Sequence, residues 1–217
     1  EAMWLVFLAT HFGKHVQDGW ELVRAVYGVL GGPDNWDWLN ITARLKDFRP
    51  WLKANRSQLS IYHFSNHRKF ESLSHTATVV ESYVGWIQSF RSHAGLIQTA
   101  HAAVGQDPNL VFDHLYKGMG VVYRFGRLAK FDFLTMLDKL GLAPIQAGSA
   151  YLYDNATGPL QGARLLFTGA VNGSVAPRVL DGYLIELDAC LQIGMQALED
   201  SLCNWQKSPM TFESYRG

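Results

Sequence analysis

A chain of 217 residues that is 48% hydrophobic and only 18% charged can fill one full-sized core and is not composed like a disordered segment. Its formal net charge of zero excludes the strongly basic balance of a general phosphate binder, although a local basic face remains open. Two cysteines, Cys190 and Cys203, can supply neither a disulfide framework nor the four thiolates of an iron–sulfur cluster, and they fit a reduced, cytoplasmic setting. The apolar opening Met3–Ala9 is too short to span a bilayer, so no membrane attachment is expected. The chain starts at Glu1 rather than Met, which leaves room for a missing upstream piece.

Apolar residues recur at helical spacing along the chain, and no stretch alternates like a strand for long, so one all-α domain over residues 1–217 is predicted. Glu1–Phe12 and Gln17–Leu30 read as helices broken near Gly13. The Gly31-Gly32-Pro33-Asp34-Asn35 run is a loop. Trp36–Asn55 reads as short helices interrupted at Pro50, and Ser57–Ser72 as irregular and polar. His75–Phe90 and His93–Val104 are further helices. Asp107-Pro108 is a strong helix start, and that helix should stop at Gly118-Met119-Gly120.

The next predicted helix, Val122–Leu140, places Phe125, Ala129, Phe133, Met136, Leu137 and Leu140 on one apolar face. Arg124, Arg127, Thr135, Asp138 and Lys139 fall opposite, with Lys130 and Asp132 on the two borders. After a loop over Ala143–Gly158, Pro159–Phe167 is a short helix. A last helical stretch, Arg178–Gln206, carries a stripe from Leu184 through Leu187, Leu191, Met195, Leu198 and Leu202 to Trp205, with Gly182 and Gly194 as places where it can break.

Charge is unevenly spread. Arg44–Lys69 holds seven Lys or Arg against one Asp, while the charged residues of Asp181–Asp200 are all acids. The basic run is expected to meet Arg124–Lys130 on one positive face, against the blander reading of a solvated surface. Gly118-Met119-Gly120, between two helices, can form a hairpin whose backbone N–H groups hold a phosphate, or simply a turn. Asp132 at the edge of an apolar face suits a carboxylate that stabilises positive charge or activates water, and nearby cations should keep it ionised. His11, His15, His63 and His67 form two His-x-x-x-His pairs, but neither contains the Glu of a metalloprotease motif. Gly13 and Asn66 make both poor helices, so ordinary hydrogen-bonded histidines, no metal and no cofactor are expected. Glu199 reads as a surface or helix-pairing charge, with a second acid in a cleft as the alternative.

Four stretches carry a resemblance: Asn66-His67-Arg68-Lys69-Phe70-Glu71-Ser72, Phe125-Gly126-Arg127-Leu128-Ala129-Lys130-Phe131-Asp132, Gly158-Pro159-Leu160-Gln161-Gly162-Ala163-Arg164, and Leu198 to Lys207. Through them the chain resembles the alpha-glutamyl/putrescinyl thymine pyrophosphorylase family, clade 3. The resemblance implies a helix-hairpin-helix DNA glycosylase-like fold and DNA, phage or otherwise modified, as the partner. It implies chemistry on hypermodified pyrimidines: base excision, as in anti-phage defence, with group transfer that builds such a base as the alternative. Asp132 and Lys130 would then be catalytic. Asn66, His67, Arg68, Lys69, Gly118, Gly120, Arg124, Arg127, Arg164 and Asn204 would bind DNA or substrate. Departures from the wider glycosylase pattern are Arg124 in place of a small residue, Asp132 only twelve positions after Gly120, and no Lys at the usual Schiff-base place. A non-catalytic helical DNA-binding module and a small-molecule enzyme of similar fold are the other readings.

Overall fold

Helix α1 (Ala2–Phe12) is apolar on nearly every side, as a helix surrounded by protein must be. The structure, a computed structural model describing residues 1–211 and 213, buries it accordingly. Phe7 stacks on Tyr83 of α6 (Leu73–Ser89) with ring centroids 3.7 Å apart, and Phe125 lies 5.1 Å away. Phe133 of α9 (Arg127–Lys139) closes the cluster edge-on. Aromatic pairs of this kind add about 0.5–1.5 kcal/mol each beyond the area they bury. They fix α1 against α6 and α9; α1 and α9 line the cleft described below.

The described residues contain twelve α-helices and no strand. Five of them surround this core: α2 (Glu21–Tyr27), α3 (Trp38–Ala43), α4 (Leu45–Ala54), α5 (Arg56–Leu59) and α7 (His93–Val104). The Asp37 carboxylate caps α3 by accepting from Asn40 N–H, and α3 ends at Arg44. The break expected at Pro50 is therefore at Arg44, and α4 runs through the proline. Pro50 forfeits one N–H, while Phe48 and Leu52, buried on either side, hold the helix across it. Helix α8 (Pro108–Gly118) starts where predicted, with the Asp107 carboxylate accepting from the N–H groups of Asn109 and Leu110. Among the described residues no helix is long and apolar enough to cross a membrane.

The predicted Val122–Leu140 helix is corrected in its first turn. Gly118 is still right-handed helix, a 3-10 turn spans Met119–Val121, and Val122 is extended. Arg124 adopts φ +56°, unusual for a side-chain-bearing residue, and α9 begins only at Arg127. Gly118 and Gly120 are both exposed, and neither lies directly at the start of α9. The expected single apolar face also divides. Phe133 packs toward α1, Phe131 toward Phe112 of α8, and Met136 and Leu140 are exposed. A helix packed on two sides does not show one stripe.

The Arg178–Gln206 stretch is two helices, α11 (Pro177–Leu191) and α12 (Met195–Trp205). Gln192 at φ +53° and Gly194 at φ +86° make the break, and the Asp188 carboxylate accepts from Gly194 N–H at 2.7 Å. The Leu stripe is therefore cut: Leu184, Met195, Leu198 and Leu202 are buried, Leu191 and Trp205 exposed. Helix α10 (Gly158–Thr168) packs directly onto α12. A Cβ on Gly162 would lie 2.3 Å from the Leu202 carbonyl oxygen, so only glycine permits this approach. The Gly158–Arg164 motif thus sets the position of α12.

Candidate functional site: a cleft lined by ion pairs

A cleft of ≈ 1640 Å³ opens between the C-terminal end of α1, the 66–71 segment, the start of α9, the 154–159 loop and α12. That exceeds the roughly 300–1,000 Å³ of a typical small-molecule site and leaves room for a nucleotide together with a second reactant. Its floor and walls carry four cation–carboxylate pairs, drawn from segments far apart in sequence.

Arg68 lies in the 3-10 turn Asn66–Arg68, held to the end of α1 by Ser65 N–H donating to Phe12 O at 2.9 Å. Its guanidinium donates to Thr10 O at 2.7 Å and to Asp132 at 2.8 Å. Arg124, turned by its left-handed backbone, donates to both Glu71 carboxylate oxygens, at 3.2 and 3.1 Å, and to Phe70 O at 2.6 Å. Arg127 donates to Glu199 at 2.7 Å and to the carbonyls of Ala150 and Tyr151 at 2.7 and 3.2 Å. Lys130 donates to Asp154 at 3.0 Å and sits 4.0 Å over the Tyr116 ring.

The carboxyls of α9 and α12 act on one another. Burial raises the Asp132 carboxyl above its usual range, against the opposing pull of Arg68, and the like charge of Asp200 adds to the rise. Asp132 nevertheless keeps about a third (36%) of its side chain exposed. Desolvation outweighs the cations in setting the direction of the shift. Burial pushes the Glu199 carboxyl up to about 7, opposed by Arg127 and supported by Asp200 and Asp132. Asp200 is raised as well, chiefly by burial. Asp154 goes the other way: burial would raise it, but donors Tyr116 and Lys130 outweigh burial and hold it low. His11, at the cleft floor, is driven down to about 3 by burial and by Arg68 and Arg124, and stays neutral with Nε2 3.1 Å from Thr76 Oγ1.

Of the residues singled out from sequence, the cleft gathers His67, Arg68, Arg124, Arg127, Lys130 and Asp132. Asn66 and Lys69 are exposed and do not line it. Lys69 lies 5.2 Å over the Phe70 ring, and Phe70 does line it. Gly118 and Gly120 lie off the cleft. So do Arg164 on α10 and Asn204, whose side-chain amide donates to Glu213 O. The expected continuous positive face does not form. Of the cations in the 44–69 run, Arg68 alone lines the cleft, while Arg44 pairs with Asp34 and Asp47, and Arg49 with Glu81. Glu199 is buried rather than on the surface. Sequence reasoning also passed over Glu71, Asp154 and Asp200. A signal for Glu199 was present: Met195, Glu199 and Leu202 share helical spacing, so a charge stands where an apolar residue would be expected.

Fold and cleft together define an all-helical protein with a large cleft lined by ion pairs. The chain belongs to the alpha-glutamyl/putrescinyl thymine pyrophosphorylase family, clade 3, whose sequence profile matches residues 1–217. The family's description is that of an enzyme working on a modified thymine. No curated protein and no solved structure gives a significant match to the chain.

Proposed function

We propose that this protein joins an amine to a modified thymine of DNA, held in the cleft, with release of pyrophosphate. The observation that carries the reading is the cluster of three carboxyls, Asp132, Glu199 and Asp200, lining, with three guanidiniums and a lysine, one cleft large enough for two reactants. The family description points to a glutamyl or putrescinyl group, a thymine and pyrophosphate, and the cleft offers groups suited to the amine and to the pyrophosphate. An amine enters as a cation and suits the carboxyls. Pyrophosphate suits the arginines.

The thymine carries a diphosphate ester on its 5-methyl carbon. A cleft carboxylate first takes a proton from the ammonium group; the freed nitrogen lone pair forms a bond to that carbon, and the carbon–oxygen bond breaks with its electron pair leaving on the diphosphate. The nitrogen then gives up a proton to a cleft carboxylate. Glu199, at about 7, is matched to proton exchange near neutrality. Arg68 and Arg124 bind the departing diphosphate, and the base leaves the DNA stack to reach them. Leu5, Val16, Trp20, Phe70, Met136 and Leu140 are exposed apolar side chains around the same cleft and give the extruded base its apolar surroundings.

Base excision is the second reading, favoured by Asp132 alone: a raised carboxyl, paired with Arg68 and still open to the cleft, can face a sugar as its positive charge develops. The products separate the two. DNA containing the diphosphate ester of 5-hydroxymethyluracil, incubated with glutamate or putrescine, should yield pyrophosphate and the amine adduct by mass spectrometry. Free base and abasic sites in their place would select excision. Asp132→Asn should cut turnover on the order of a hundredfold, at about 1.4 kcal/mol per tenfold. A folded, fully active variant would remove Asp132 from the site.

A further inference from the structure

Neither His-x-x-x-His pair acts as a unit, yet one histidine from each meets the other. His15 and His63 face across Asp18, with ring centroids 5.0 Å apart. Asp18 Oδ2 lies 2.8 Å from His63 Nδ1 and 3.3 Å from His15 Nδ1. One donor atom from each of the three lies within 4.8 Å of the others. The backbone prepares this arrangement. His15 and Gly19 exchange N–H···O bonds of 2.9 Å in both directions, closing a tight loop that Gly19 turns at φ +61°. The His63 N–H then donates to Asp18 Oδ2 at 2.9 Å, which clips the 60–65 segment to that loop. Asp18 N–H donates to His15 Nδ1 at 3.3 Å, so that nitrogen carries no proton, and an ion bound there would displace this long hydrogen bond.

The geometry points to a binding site for one divalent transition-metal ion of the zinc class, held by His15, Asp18 and His63. Two imidazoles and a carboxylate are borderline-soft donors suited to zinc rather than to calcium or magnesium. Tetrahedral zinc, with bonds of about 2.0–2.2 Å, sets its ligand atoms roughly 3.3 Å apart. The observed separations need only side-chain adjustment to reach that value. Three protein ligands leave a coordination position open. His15 also lines the cleft, so the ion lies at its edge, where a phosphate or water oxygen can complete the shell. The site rests on the loop geometry and does not depend on the transfer reading.

The test uses the full chain stripped with a chelator and titrated with zinc chloride by calorimetry, then with cobalt(II) by visible absorption. One ion per chain is expected, with ligand-field bands for cobalt and a melting temperature that rises with zinc concentration. His63 is largely exposed, so His63→Ala should fold as the parent does, while its zinc affinity falls at least about tenfold and the cobalt bands disappear. Asp18→Asn should act likewise, and His114→Ala, outside the cluster, should leave both readouts unchanged. Absent stoichiometric binding, or binding equally strong in His63→Ala and Asp18→Asn, would overturn the assignment. In that case the three side chains only hydrogen-bond two loops together.

Discussion

Gly162→Ala is the smallest change that tests how α10 positions α12. The added Cβ would lie 2.3 Å from Leu202 O, 2.7 Å from its carbonyl carbon and 2.8 Å from its Cβ. Two of these are backbone atoms, which no side-chain rotation can move. Restoring ordinary contact, at 3.4 Å or more, requires the helices to part by about 1 Å. Overpacking of this kind costs about 1–3 kcal/mol, and alanine returns up to about 1 kcal/mol of helix propensity. The net loss is about 1–2 kcal/mol, a fall in melting temperature of roughly 2–8 °C for a chain of this size. Gly182→Ala, inside α11 with nothing within 4 Å of its Cβ, meets no clash and should raise the melting temperature instead. Thermal denaturation of both variants checks the pair. If Gly162→Ala melts at or above the parent, close approach is not what the glycine is for. The displaced α12 carries Glu199 and Asp200, so Gly162→Ala should also weaken activity more than its stability loss accounts for.

Two further outcomes follow from the same packing. Glu199 is raised from 4.5 to about 7, so folding favours its neutral form: that contribution is complete below about 4.5 and is lost as pH rises through about 7. Relative to Glu199→Gln, the parent should therefore lose about 3 kcal/mol of stability between pH 4.5 and 8, at about 1.4 kcal/mol per unit. Urea unfolding of both proteins across that range reads it, and a difference that stays constant to within about 0.5 kcal/mol would refute the buried-carboxyl account. Asp107→Ala removes the acceptor for Asn109 and Leu110 N–H at the start of α8 and should cost about 1 kcal/mol, or roughly 2–4 °C in melting temperature.

Local signals read well where the deciding chemistry lies within a few residues. The Asp107-Pro108 start of α8 and the span of α7 follow from capping and from apolar recurrence at helical spacing. The all-α class follows because no segment has the two-residue alternation of a half-buried strand, and the family is legible in short polar runs such as Asn66–Ser72. Helix ends inside the core were not legible. Met136 and Leu140 share a helical face with Phe133 yet reach solvent, because α1 and α8 cover α9 from two directions and the sequence of α9 records neither. The site was legible only in part. The cations Arg68, Arg124, Arg127 and Lys130 stand in conspicuous runs, but the role of their partners Glu71, Asp154 and Glu199 depends on what faces them. Arg127 and Glu199 are 72 residues apart, and only the approach of α12, set by Gly162 against α10, brings them within 2.7 Å. Sequence spacing fixes which residues share a turn of helix. Which charges lose their water together, and so which carboxyls hold a proton at neutral pH, depends on how separate helices pack.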